Sequence, residues 1–185
     1  MSAIKYLALL RGINVGGNNI IKMTDLKSCF EGMGFTGVST YIQSGNVIFN
    51  SEEKVWNELT GKIESALSSR FNYDSKIILV PYPVLDSVVN NALPGFGKDA
   101  GVCRNDVIFT DATTRPGEVL MMLNPREGVD ETWAGEYALY FRRLTSRASQ
   151  TRLTRLISLP VYKHLSIRNW NTTLKFYLLM NGNVS

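Results

Sequence analysis

Apolar residues fall into short runs whose spacing changes along the chain, and that change predicts the elements. IKYLALLR (4–11), SKIILVP (75–81) and VCRNDVIFT (102–110) are apolar-rich runs of strand length. VSTYIQ and NVIFN are β-rich runs separated by Ser44-Gly45, which predicts a tight hairpin, because glycine supplies the positive φ that two-residue turns need. ETWA and YALYFRR predict a second hairpin around Gly135. Between these runs the period becomes helical. Thr24-Asp25 predicts the cap of a helix reaching Gly32 or Gly34, and Ser51-Glu52-Glu53 opens a helix carried by Trp56, Leu59, Ile63, Ala66 and Leu67 to about Arg70. PVLDSVVNNAL reads as a connector helix, PGEVLMML as a helix with proline in its first turn, and Thr145-Ser146 as the cap of a helix over 147–158. A last helix runs from about Trp170 to Met180, keeping Trp170, Leu174, Tyr177 and Leu178 on its buried side.

The first half is therefore β-α-β-β-α-β, the split βαβ plan of ferredoxin-like domains. After the connector the order repeats as β-α-β-β-α and then a helix, with at most a short strand near Val161 to Ile167. The expected fold is α+β, with two ferredoxin-like (βαββαβ-type) subdomains in tandem, the second ending in an extra helix. Residues 1–81 form the first subdomain, and residues 82–185 the connector helix and the second. The repeat lies in the order of elements and is invisible as sequence identity.

Composition adds the compartment and the charge. The chain has 185 residues, 44% of them apolar, and its only cysteines are Cys29 and Cys103. Two isolated thiols without CxxC spacing fit a reducing cytoplasm better than a disulfide framework. No apolar run approaches membrane-spanning length, and MSAIKYLALLRG lacks the pattern of a secretory signal. The net charge of +4 hides an asymmetry. Residues 106–136 carry Asp106, Asp111, Glu118, Glu127, Asp130, Glu131 and Glu136 against Arg115 and Arg126, whereas from Tyr137 onward every charged side chain is basic. Either the acidic segment compensates the basic one within the molecule, or the basic segment meets an anionic partner.

Familiar catalytic signatures are missing. His164 is the only histidine, so no cluster of metal-ligand spacing exists, and a loop histidine without a special role is the favoured account of it. Neither GxSxG nor HExxH occurs, and no cysteine–histidine pairing suggests a nucleophile. The pattern implies no metal and no cofactor, and it singles out no catalytic residue.

Three polar clusters remain. LLRGINVGGNN (9–19) places Arg11 at a strand end before Gly12, Gly16 and Gly17. It matches neither dinucleotide nor P-loop spacing, yet strand, glycine loop and helix can present backbone amides to an anion. The competing account is a permissive turn in which Asn14, Asn18 and Asn19 bond the local backbone. QSGN holds Gln43, Ser44 and Asn46, either turn residues or amides that hold a ligand. SIRNWNTT places Arg168 and Asn169 at the head of the last helix, where a guanidinium and helix-terminal amides can grip one anion, or where Asn169 simply caps. The helix over 147–158 is expected to show a basic face of Arg147, Arg152 and Arg155, a solvated face or a phosphate-backbone contact. LALLRG and NVIFN lack the stacking-aromatic pattern of an RNA-recognition motif.

LALLRGINVGGNN, YIQSGNVIF and RNWNT together resemble a widespread, mainly bacterial family catalogued as a domain of unknown function. The resemblance spans nearly the whole chain. It implies an α/β fold of two related subdomains and carries no established activity, cofactor or catalytic residue. The matching positions are Arg11, Gly12, Asn14, Gly16, Gly17, Gln43, Ser44, Gly45, Asn46, Arg168, Asn169 and Trp170.

The expected function is binding of a small anionic, phosphate-bearing ligand, or of a nucleic-acid backbone, in a cleft between the lobes. Its ligand-binding residues would be Arg11, Asn14, Gln43, Ser44, Asn46, Arg168 and Asn169. The alternatives are an enzyme acting on a phosphorylated small molecule, and a protein-interaction or assembly module that pairs acidic and basic segments. A membrane partner is not expected, and the sequence leaves the oligomeric state open.

Overall fold

In the computed structural model, which describes residues 3–14, 16–17 and 19–182, the chain forms two compact units, Met1–Tyr82 and Pro83–Ser185. The first contains β1 (Ile4–Leu10), α1 (Met23–Gly32), β2 (Thr36–Thr40), β3 (Asn46–Ser51), α2 (Trp56–Phe71) and β4 (Ile77–Pro81). The helix α3 (Tyr82–Asn90) follows β4. The second unit contains β5 (Cys103–Thr110), α4 (Pro116–Leu123), β6 (Asp130–Ala134), β7 (Ala138–Leu144), α5 (Leu153–Leu156), β8 (Leu165–Asn169) and α6 (Trp170–Asn181). The sheets have the orders β2-β3-β1-β4 and β6-β7-β5-β8 and are antiparallel throughout. These are two ferredoxin-like subdomains in tandem, and the second ends in an added helix.

The repeat extends to register. Tyr6 faces Phe49 and Pro81, and Asp106 faces Phe141 and Asn169 in the same sense. At the strand ends the Arg11 amide donates to the Lys76 carbonyl, and the Asp111 amide donates to the His164 carbonyl. Arg11 and Lys76 thus occupy the places that Asp111 and His164 take in the second unit. The repeated plan has been kept, while an arginine in the first unit stands where the second has an aspartate.

Strand alternation accounts for each core. Tyr6, Ala8 and Leu10 of β1 share a face with Val47, Phe49, Ile77 and Leu79, and pack on Leu26 and Phe30 of α1 and on Leu59, Ile63 and Leu67 of α2. Phe30, Phe35 and Phe49 pack with centroids 4.5–6.0 Å apart. In the second unit Ile108, Leu139, Phe141 and Leu165 pack on Val119 and Leu123 of α4 and on Leu153 and Leu156 of α5. On the opposite face of that sheet Tyr140 is buried and donates to the Val88 carbonyl at 2.7 Å, and burial pushes its phenol up to about 12.

Several element boundaries differ from those the pattern predicts. α1 begins at Met23 with Lys22 as its cap, so Thr24 lies inside the helix. α2 begins at Trp56 because Ser51 ends β3 and the Glu53 carboxylate binds the Val55 amide. The Ser44-Gly45 turn is the end of a longer connection, Tyr41 to Gly45, in which Ile42 also has positive φ. A strand does close the second sheet, at Leu165–Asn169. Leu178 is exposed, while Thr173, Phe176 and Met180 are buried instead.

The largest difference is the helix expected over 147–158. Thr145–Gln150 is a 3-10 segment, Thr151 is extended, and only Leu153–Leu156 is α-helical. Asp130 is the cause. Its buried carboxylate accepts the Thr151 hydroxyl at 2.6 Å, the Arg152 amide at 2.8 Å and the Arg126 amide at 3.1 Å. Drawing one hydroxyl and one amide onto β6 breaks the helical ladder at residues 151–152. Leu153 and Leu156 still face the core, and Ile157 is exposed.

Candidate functional site

The first unit brings five of the predicted residues to one end of its sheet. Arg11 follows β1, and the loop after it meets the connection before β3. Asn14 makes the join: its Nδ2 donates to the carbonyls of Ile21 (3.1 Å) and Gln43 (2.8 Å), and its Oδ1 accepts the Ile21 amide at 2.8 Å. Asn19 closes the loop by donating to the Gly12 carbonyl at 2.8 Å. Asn18 lies outside the described residues. Asn46 is fully buried and donates to the Tyr41 carbonyl and to the Ser44 hydroxyl. Gly45 accepts the Leu10 amide at 2.8 Å and lies against the buried Ile13. Asn14, Ser44 and Asn46 therefore build the two loops, while Gln43, Gly16 and Gly17 are exposed and Arg11 is half-buried.

The two loops at this end carry no carboxylate of their own. No carboxylate precedes Asp25, and none lies between Gly32 and Ser51. The nearby Lys76 is paired with Glu64 at 3.4 Å and Asp74 at 3.5 Å, and those carboxylates raise its pKa. Arg11 and Lys22 supply the positive charge of the loop itself.

In the second unit Arg168 and Asn169 diverge. Asn169 caps α6 by accepting the Asn171 amide at 3.0 Å, and its Nδ2 donates to the Asn105 carbonyl at 3.0 Å. Arg168 stands on the opposite face of β8 by alternation. Its Nη1 donates to the Ser166 hydroxyl and to the Ile167 carbonyl, both at 2.9 Å. Part of the charge asymmetry is compensated inside this sheet. Arg142 faces Glu131 across β7–β6, with Nε 2.9 Å from the carboxylate, and Arg143 lies 3.4 Å from the buried Asp106.

Three polar groups with structural roles escaped the sequence. Asp130 has just been described; Asn105 and Asp111 are the others. Asp111 holds His164 Nδ1 at 2.6 Å. No local pattern pairs residues 53 positions apart. Burial raises the Asp111 pKa, but hydrogen bonds from His164, Thr113 and Thr114 outweigh it and hold the carboxyl below the usual range. A depressed folded-state pKa contributes stability above the unfolded value of about 3.9, lost as pH falls through the folded value. Asp111→Asn is therefore expected to flatten the acid limb of stability below about pH 4 in urea unfolding. An unchanged limb would mean that these bonds do not persist in solution.

Comparison with known proteins fits this picture of two related halves. Residues 4–140 match the family described as "Protein of unknown function (DUF1697)". The chain belongs to DUF1697. That match runs from β1 into β7 and so takes in both the Arg11 loop and the Asp111 strand. No curated protein matches the chain. Among solved structures, the conserved bacterial protein SP0830 from Streptococcus pneumoniae is similar, with a TM-score of 0.85 and 24% identity over 97% of this chain and 99% of that one. At that identity the likeness establishes a shared fold. The DUF1697 assignment brings no activity with it, so function has to be argued from the residues themselves.

Proposed function

We propose that this DUF1697 protein binds a small phosphate-bearing anion at the Arg11 end of the first unit. One observation carries the reading: Asn14 bonds Ile21 twice and the Gln43 carbonyl once, so both described ends of the glycine-containing stretch are held to the connection before β3, beside Arg11. A preorganised loop lowers the entropic cost of binding, and an arginine at its root can meet two anion oxygens at once. In this reading Arg11 and Gln43 contact the ligand, Asn14, Ser44 and Asn46 position the loops, and the charges of Arg11 and Lys22 draw the anion in. The free thiols Cys29 and Cys103 suit a reducing cytoplasm as its place of work.

The phosphate could belong to a small molecule or to a nucleic-acid backbone, and salt dependence separates the two. Titration calorimetry with pyrophosphate, AMP and a single-stranded oligonucleotide is the test. Arg11→Ala is expected to weaken binding of the preferred probe by about tenfold or more, as befits a lost charge-assisted hydrogen bond. Arg11→Lys should recover only part, because an ammonium cannot make the paired contact. A backbone ligand would show a steep fall of log K with log salt, and pyrophosphate or AMP a shallow one. Wild-type affinity for every probe in Arg11→Ala would end the proposal.

A further inference from the structure

Ile42 is a residue whose conformation and exposure the fold does not account for. Five non-glycine residues among those described have positive φ. Asn14, Asn19, Asn72 and Asn124 are asparagines, which accept that conformation, and the fifth is Ile42 at φ 51. A β-branched side chain is strongly disfavoured there. The backbone is held on both sides of it. The Asn46 carbonyl accepts the Tyr41 amide at 3.0 Å, and Asn46 Nδ2 donates to the Tyr41 carbonyl at 3.1 Å. Asn14 Nδ2 donates to the Gln43 carbonyl at 2.8 Å. An asparagine or glycine at position 42 would fit between these clamps without strain. Packing does not call for isoleucine either, since the residue is 51% exposed. Strain kept at an exposed position, with the neighbours enforcing it, points to a use for the side chain.

A second exposed isoleucine stands nearby. Ile20 is 78% exposed and directly precedes Ile21, whose carbonyl shares the Asn14 amide with that of Gln43. The two isoleucines therefore sit on the two loops that Asn14 joins, each next to a residue it holds. Gln43 is exposed as well, and its side-chain amide makes no hydrogen bond among the described residues. Arg11 leaves β1 at the same join, where the Leu10 amide donates to the Gly45 carbonyl. Apolar side chains for the face of a ring, an amide for its polar edge and an arginine for a phosphate are the groups a nucleotide calls for. A bilayer surface would call for a cluster of about four to eight basic residues, and these loops carry Arg11 and Lys22.

We infer that the anion held at Arg11 is a nucleotide whose base packs on Ile20 and Ile42 and turns its edge to the Gln43 amide. The inference rests on phosphate binding at Arg11 and adds the base to it.

Titration calorimetry with AMP, CMP and ribose 5-phosphate, which has the sugar and phosphate without a base, tests the two parts separately. The full chain is expected to bind at least one nucleotide about tenfold more tightly than ribose 5-phosphate, as burial of about 60 Å² of apolar surface would give. Ile42→Asn should bring that ratio close to one and leave ribose 5-phosphate binding unchanged. The same variant should raise the urea midpoint, because asparagine accepts the backbone that isoleucine strains against. Ile20→Ser, which involves no positive φ, should lower the ratio without moving the midpoint. Arg11→Ala should weaken nucleotide and ribose 5-phosphate alike. A single-stranded oligomer of the preferred base that binds no better than the mononucleotide assigns a free nucleotide; tighter binding with steep salt dependence assigns a strand. Equal binding of nucleotides and ribose 5-phosphate by the wild-type chain overturns the inference and spares the phosphate reading, whereas no binding of any probe ends both. A lowered urea midpoint in Ile42→Asn, or sedimentation with phosphatidylserine vesicles that depends on the two isoleucines, also overturns it.

Discussion

Asp130→Ala is expected to destabilise the second unit by about 3–4 kcal/mol, because removing the carboxylate strands several buried or half-buried donors at once. Those donors are the Thr151 hydroxyl and the Arg152 and Arg126 amides. The Thr151 hydroxyl and the Arg152 amide cannot turn to water without moving residues 151–156, whose Leu153 and Leu156 fill the core beside α4. The loss should therefore appear in two measurements: a lower urea midpoint, and faster amide exchange over residues 151–157. Asp130→Asn separates charge from shape. It can keep an oxygen for Thr151, but its NH2 then faces two backbone N–H groups, so it should cost nearly as much as alanine. Should Asp130→Ala unfold within about 1 kcal/mol of the parent, the anchor is not what breaks the predicted helix.

Gly45→Ala carries the next largest expected effect. Gly45 has φ +70, and a Cβ there would sit 2.7 Å from Ile13 Cδ1 and 2.9 Å from Leu10 Cβ. Left-handed backbone costs an alanine about 1–2 kcal/mol, and overpacking a closed site adds about 1–3. The Ile13 tip can swing away, but the Leu10 Cβ belongs to β1 and cannot. A loss of about 2–4 kcal/mol follows, with the Leu10–Gly45 backbone bond weakened as well. Gly17 is the internal control. Its φ is +80 and nothing lies within 4 Å of the place an added methyl would take, so Gly17→Ala should cost only the conformational part, about 1–2 kcal/mol. Equal losses at the two positions in urea unfolding would show that close packing of the loop against the turn is not the reason for Gly45. Because the turn packs against Ile13 and Leu10, Gly45→Ala should also weaken anion binding, as Arg11→Ala should.

These two positions also mark where sequence reasoning succeeded and where it stopped. Gly45 was legible as a turn glycine, because a glycine between two β-rich runs has a local meaning. Its contact with Ile13 was not, since that depends on a loop more than 30 residues earlier folding back. Asn14, Asn46 and Asn169 were legible as polar loop residues, with ligand contact and backbone bonding both open. Tertiary geometry decided what their described hydrogen bonds do: Asn14 reaches the Gln43 carbonyl 29 residues away, and Asn169 reaches the Asn105 carbonyl 64 residues away. An amide side chain looks the same in sequence whether it awaits a ligand or closes a loop.

Element order and fold class were determined by the sequence itself. Alternation and helical spacing are local consequences of which side of a strand or helix must leave water, and that pattern survives in a single chain without reference to its neighbours. The order β-α-β-β-α-β of the first half and β-α-β-β-α of the second was therefore visible even without sequence identity between the halves, whereas the strand Leu165–Asn169 that closes the second sheet was not. What the tertiary structure alone decided were the pairings that reach across the chain: Asp130 with Thr151, Asp111 with His164, and the matching registers that set Arg11 in the place of Asp111. A hydrogen bond between distant residues leaves no periodic trace, because its energy depends on a separation in space that only the folded backbone fixes.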